Sequence, residues 1–230
     1  MKKIKSFQLW VLLITLLSFG CENNTLDIAP PTIVEILNTE NTSFTSVEIN
    51  SKILSHYDLN EISELGICYS TTPNVSKNNN TVLSNTFNDN FKIKNLLPDT
   101  KYYFKAYVID PKGTWYSDEL DIKTQSLVNT EWNLDIYFPN QGGYTINSIV
   151  NFYEDRSAKF EEVLPDGSTQ YTHYGSWLLN GNKLTYIFNG TNDSLSEAIY
   201  VFSGILDEVL LSGSYNHYYL PSGTWSAIPR

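Results

Sequence analysis

Thr130-Glu131-Trp132-Asn133-Leu134-Asp135-Ile136-Tyr137-Phe138 alternates between apolar and polar side chains along most of its length. Successive side chains of an extended chain point to opposite faces. Trp132, Leu134, Ile136 and Phe138 therefore share one face, and Asn133, Asp135 and Tyr137 the other, which is the pattern of a half-buried antiparallel strand. Downstream, strand-like runs recur at 144–153, 158–163, 170–178, 183–189, 197–203, 209–215 and 224–228, with short turn clusters such as Pro165-Asp166-Gly167 and Asn180-Gly181-Asn182 between them. Consecutive hairpins at this spacing predict an up-and-down antiparallel β-barrel over 127–230.

That segment carries eighteen Phe, Tyr and Trp residues, against eleven in 30–125. Such density requires a large aromatic core or an aromatic-lined cavity. An eight-stranded barrel is either filled by its own side chains or leaves room for one small ligand, and both outcomes stay open. For the second, Ser148, Tyr171, His173 and Trp177 are the candidate ligand-binding residues, with Ser148 and His173 as polar handles. The alternative for His173 is a structural histidine with its hydrogen bonds satisfied.

Upstream, over 30–125, runs at 32–37, 46–53, 64–70, 91–95, 102–109 and 115–123 also alternate with period two, and no segment sustains a 3.6-residue apolar pattern. Val47, Ile49, Ser51 and Ile53 share a face, as do Leu65, Ile67 and Tyr69, so this half reads as a β-sandwich and the whole chain as all-β. Glu22-Asn23-Asn24-Thr25 and the prolines of Ala29-Pro30-Pro31-Thr32 cannot form a central strand, which makes 21–29 a short tether.

Leu96-Leu97-Pro98-Asp99-Thr100-Lys101-Tyr102 and the following Tyr103-Phe104-Lys105-Ala106-Tyr107 resemble the L-x-P-x-T-x-Y element and penultimate strand of fibronectin type III domains. The resemblance implies a sandwich in which Tyr102 is the corner tyrosine bonded to nearby backbone. Gly113-Thr114-Trp115-Tyr116-Ser117 resembles the final hairpin of that family, and 66–73 resembles its third strand in Bacteroidetes surface lipoproteins. The tryptophan many members carry on the second strand is replaced by Ile49 or Ser51. Such modules serve mostly as spacers; the alternative is a binding loop, for which Trp115-Tyr116 is the candidate. In the C-terminal half, Gly175-Ser176-Trp177, Gly223-Thr224-Trp225 and Phe152-Tyr153-Glu154-Asp155 resemble lipocalin-like domains. Thr130-Glu131-Trp132 lacks the glycine expected on a first strand, which leaves the strand order and any inherited pocket open.

The N-terminus carries the address. Lys2, Lys3 and Lys5 precede an apolar run from Leu9 to Leu17 that ends at Ser18-Phe19-Gly20-Cys21, an export signal too short to span a bilayer. It resembles a bacterial lipoprotein signal peptide over 1–20, although Ser18 and Phe19 depart from the usual pattern. The resemblance implies that Cys21 is lipidated and anchors the protein in the cell envelope; an ordinary secretory signal is the alternative. Without the signal, twelve Lys and Arg face twenty-five acids, a balance near −13. A nucleic-acid partner is excluded by that charge, and membrane residence would come from the lipid and not from a basic patch.

Cys68, within Leu65-Gly66-Ile67-Cys68-Tyr69, is expected to be a small buried hydrophobe. The three histidines, His56, His173 and His217, are scattered, so neither a metal nor another cofactor is expected. There is no G-x-S-x-G, H-E-x-x-H or G-x-x-x-x-G-K motif, and no catalytic residue is assigned. Glu161-Glu162 and Asp207-Glu208 are adjacent on strands and read as solvated edges, and the loop at 189–194 reads as a turn and not a calcium site. The chain is thus expected to be a lipid-anchored envelope protein that binds a small molecule or glycan without catalysis. The alternatives are an assembly subunit contacting other envelope proteins and, third, a hydrolase with unrecognised acidic residues.

Overall fold

The computed structural model describes residues 31–56, 58–84, 86, 88–139, 142–189, 198–217 and 221–230; Cys21 and the signal segment lie outside them. Eight strands build the N-terminal half: β1 (Ile33–Thr42), β2 (Val47–Ser55), β3 (Glu64–Ser70), β4 (Asn80–Ser84), β5 (Asn88–Ile93), β6 (Lys101–Asp110), β7 (Gly113–Tyr116) and β8 (Leu120–Lys123). One sheet has the order β1-β2-β5; the other runs β4-β3-β6-β7, with β8 also paired to β6. This is a fibronectin type III-like sandwich. Alternation explains its core: Val47, Ile49, Phe91 and Ile93 from one sheet bury against Leu65, Ile67, Phe104, Ala106 and Val108 from the other. Tyr102 accepts a hydrogen bond at its hydroxyl from the Leu97 amide at 2.9 Å, the corner contact that the L-x-P-x-T-x-Y element implied. Cys68 is fully buried.

Eight more strands follow: β9 (Thr130–Phe138), β10 (Tyr144–Phe152), β11 (Ser157–Val163), β12 (Thr169–Asn180), β13 (Lys183–Asn189), β14 (Ala198–Asp207), β15 (Leu210–His217) and β16 (Gly223–Pro229). They close into an antiparallel barrel in which each strand pairs with its sequence neighbours and β16 returns to β9. Polarity is the reverse of a lipid-embedded barrel: Glu131, Asn133 and Asp135 face out and Trp132, Leu134 and Ile136 face in. The two Gly-x-Trp elements have a steric cause. A Cβ on Gly175 would lie 1.8 Å from the Ile187 carbonyl oxygen, and one on Gly223 would lie 2.2 Å from that of Tyr137.

The two halves are locked together. Phe44, in the β1–β2 turn, is 3 % exposed and joins the barrel's aromatic core against Trp132, with ring centroids 5.2 Å apart. Around it the Phe44 amide donates to the Glu208 carbonyl (3.3 Å), and the Glu208 amide donates to Thr45 Oγ1 (2.7 Å). The Glu208 carboxylate pairs with Lys92 at 2.8 Å and Lys94 at 3.1 Å, which holds it below the usual carboxylate range. Glu208 is thus a junction residue rather than the solvated edge that adjacency with Asp207 suggested.

At the opposite pole of the sandwich the chain enters β1. There Asp110 accepts from Thr32 Oγ1 (2.8 Å), Trp115 Nε1 (2.9 Å) and the Lys112 and Gly113 amides, with His56 Nε2 at 3.3 Å. Burial opposes the charge, but these donors outweigh it and hold the carboxyl well below its ordinary value. Trp115 is therefore a structural partner of Asp110, while Tyr116 is 39 % exposed and accepts a hydrogen bond from the Lys77 amide.

Candidate functional site: the mouth of the barrel

Inward positions follow from strand parity. The end of the barrel nearest the sandwich is sealed by Phe44, Leu127, Trp132, Phe152, Trp177 and Leu184, all in one buried cluster. The middle is filled by Tyr186, stacked on Phe202 at 4.4 Å and edge-on to Trp225 at 5.2 Å. Thus the lower and central lumen is packed with side chains, and space for a ligand must be sought at the far end.

At that far end, strands from around the barrel bring together Tyr144, Glu162, Tyr171, His173, Tyr200 and His217. Tyr144 stacks on Phe138 with centroids 5.1 Å apart and is 43 % exposed; Tyr171 is 52 % exposed. His173 packs beside Phe160 (5.5 Å) and Tyr171 (6.4 Å), and Tyr200 lies 4.4 Å from His217. Glu162 pairs across the sheet with Ser148 on one side and Tyr171 on the other. Burial pushes the Glu162 carboxyl up and both imidazoles down from their ordinary values. Tyr200 is raised first by burial and then by the nearby Tyr144 and Glu162, which places these three side chains within electrostatic reach of one another.

Two hydroxyls stand out on lumen-facing positions. Ser148 is 4 % exposed and Tyr186 fully buried, yet neither Ser148 Oγ nor Tyr186 OH has a hydrogen-bond partner among the described residues. A buried hydroxyl left without a partner costs about 1–3 kcal/mol.

Of the four residues proposed from sequence, Tyr171 and His173 line the mouth, and Ser148 faces the lumen on the strand next to Glu162. Trp177 lies at the sealed end. Its Nε1 donates to the Tyr153 carbonyl at 3.0 Å, the Arg156 guanidinium lies over its ring at 4.7 Å, and it walls a groove of about 260 Å³ between barrel and sandwich. Parity put Trp177 in phase with His173, but two steps of alternation carry it toward the other end of the same strand. Glu162 was missed because it was grouped with Glu161. Parity separates the two: Glu161 faces out and pairs with Lys159 at 2.9 Å, while Glu162 is in phase with Ala158 and Phe160. Tyr144, Tyr200 and His217 carried no signal beyond their phase. Among the described residues, no three His, Cys, Asp or Glu side chains come together as a metal site, and no helix is long and apolar enough to cross a membrane.

No family model and no curated protein matches the chain. Among solved structures, the crystal structure of chicken CNTN1 FN1-FN3 domains is similar over 87 % of this chain and 88 % of that one, at 10 % identity and a TM-score of 0.31. A likeness this distant carries no argument.

Proposed function

We propose that this protein is a lipid-anchored cell-envelope binding protein: Cys21 holds it to the membrane, the sandwich is a rigid pedestal, and the barrel mouth takes a small ligand or glycan without catalysis. The observation that carries the binding role is the pair of unpartnered hydroxyls, Ser148 Oγ and Tyr186 OH, in a lumen sealed at one end and rimmed by aromatic and imidazole side chains at the other. Buried polar groups are ordinarily satisfied, and unsatisfied ones on inward positions beneath an aromatic rim are polar handles that a ligand site offers.

The direction of β1 supports the pedestal. Thr32 binds Asp110 at one end of the sandwich and Phe44 enters the barrel at the other, so the mouth lies at the pole farthest from Thr32. A thermal-shift screen of the chain starting at Glu22, with small metabolites and glycans, tests the binding role: a ligand at 100 times its dissociation constant adds about 2.7 kcal/mol. Stabilisation that disappears in Tyr171→Ala supports it; stabilisation indifferent to that change places binding elsewhere. Cys21→Ala should abolish acyl labelling and release the protein from membranes, and retained label would remove the anchor.

A further inference from the structure

The mouth carries an imbalance of charge that narrows what it binds. Glu162 holds an inward position at this end, in phase with Ala158 and Phe160, and among the described residues no hydrogen bond or ion pair engages its carboxylate, whereas Asp166 in the neighbouring turn is bonded to Ser168. The four basic residues of 127–230 are all committed or directed elsewhere. Arg156 lies over Trp177 at the sealed end, Lys159 pairs with Glu161, and Arg230 pairs with Glu131 at 2.9 Å. Lys183 begins β13 at the sealed end, out of phase with the inward Leu184, Tyr186 and Phe188. Among the described residues, an anionic ligand such as a fatty acid or a phosphate would find no Lys or Arg at the mouth and would meet Glu162.

Around this carboxylate stand three tyrosine rings, on β10, β12 and β14, two of them with more than two-fifths of their surface open. A ring of aromatic faces with one carboxylate is the arrangement that attracts an organic cation, because the ring quadrupole is negative at its face and the site is partly shielded from water. We propose that the mouth of the barrel binds a small organic cation, an amine or a quaternary ammonium, with Glu162 as its counter-ion and Tyr144, Tyr171 and Tyr200 as its aromatic walls. Ser148, next to Glu162 in the sheet, then serves a polar tail on the ligand. This assignment rests on the mouth being the binding end and adds to it the class of ligand.

The test is a titration of the full chain from Glu22 with choline, with tetramethylammonium, and with dimethylbutanol as the uncharged carbon isostere of choline, followed by amide chemical shifts. Choline is expected to bind at least about tenfold more tightly than its isostere, the scale of one charge-assisted contact. Glu162→Gln should erase that preference while leaving isostere binding unchanged, and Tyr171→Ala, at an exposed position that leaves the core intact, should weaken choline severalfold. Equal binding of choline and isostere overturns the assignment, as does failure of both cations to bind while a neutral glycan shifts the same mouth amides; in that second case the mouth remains the binding end. If no compound in either this titration or the thermal screen perturbs the mouth, the binding role itself falls along with the ligand class.

Discussion

Removing either orphan hydroxyl should make the unliganded protein more stable. In Ser148→Ala the substitution deletes one buried oxygen that has no partner. In Tyr186→Phe it leaves in place the ring that stacks on Phe202 at 4.4 Å and meets Phe152, Phe188 and Trp225 edge-on. The desolvation cost lifted is about 1–3 kcal/mol per hydroxyl, and the small void left by one oxygen offsets only part of it. For a domain of roughly 100 residues, each kcal/mol moves Tm by about 4–8 °C. An increase of several degrees is therefore expected for each variant by differential scanning calorimetry, with the double variant short of additive because both groups face one lumen. Ligand binding should weaken in the same proteins, the exchange of stability for function expected where a site holds unsatisfied groups in reserve. A fall in Tm for Ser148→Ala or Tyr186→Phe would refute the reasoning, since it would mean that the hydroxyl is already engaged in the free protein.

Phe44→Ala removes the ring that plugs the barrel and should cost about 3–5 kcal/mol; residual dipolar couplings should then require separate alignment tensors for sandwich and barrel where the unmodified protein needs one. Separate tensors in the unmodified protein would contradict the rigid junction. Gly175→Ala forces a Cβ against the Ile187 carbonyl, and loss of the cooperative barrel transition in a thermal melt is expected. Asp110→Asn has a pH signature. The folded carboxyl titrates below its unfolded value of roughly 4, so its stabilisation is present above that pH and is lost as pH falls through the folded value. The gap in Tm between Asp110→Asn and the unmodified chain should be open at pH 7 and close in acid, and a gap independent of pH would rule out the ionised knot.

The barrel was legible because each of its strands buries one face, and a period-two pattern survives in β9 from Trp132 to Phe138 without interruption. The sandwich was legible through Leu96 to Tyr107 but not in full. Asn78-Asn79-Asn80 read as a turn, yet β4 begins at Asn80 because the neighbouring strand β3 supplies the pairing that local propensity lacks. The run at 115–123 is split, since Ser117 Oγ accepts from the Ala106 amide and interrupts the strand. The site was half legible. Phase identifies an inward residue, but height along the barrel depends on register around the whole sheet, and that is why Trp177 fell at the wrong end and Tyr200 and His217 were not joined to His173. Phe44 illustrates the remaining gap, because a lone aromatic in a turn says nothing locally about the separate domain that buries it. The loop at 189–194 lies mostly outside the described residues.

The most direct test of the account is chemical-shift mapping of the full chain from Glu22 with the strongest stabiliser from the thermal screen. Perturbed amides are expected at Glu162, Tyr171, His173, Tyr200 and His217, with the sandwich silent. Shifts centred instead on the groove of about 470 Å³ between Glu35–Thr39 and Asp118–Leu120 would contradict it, making the sandwich the binding domain and the barrel its support.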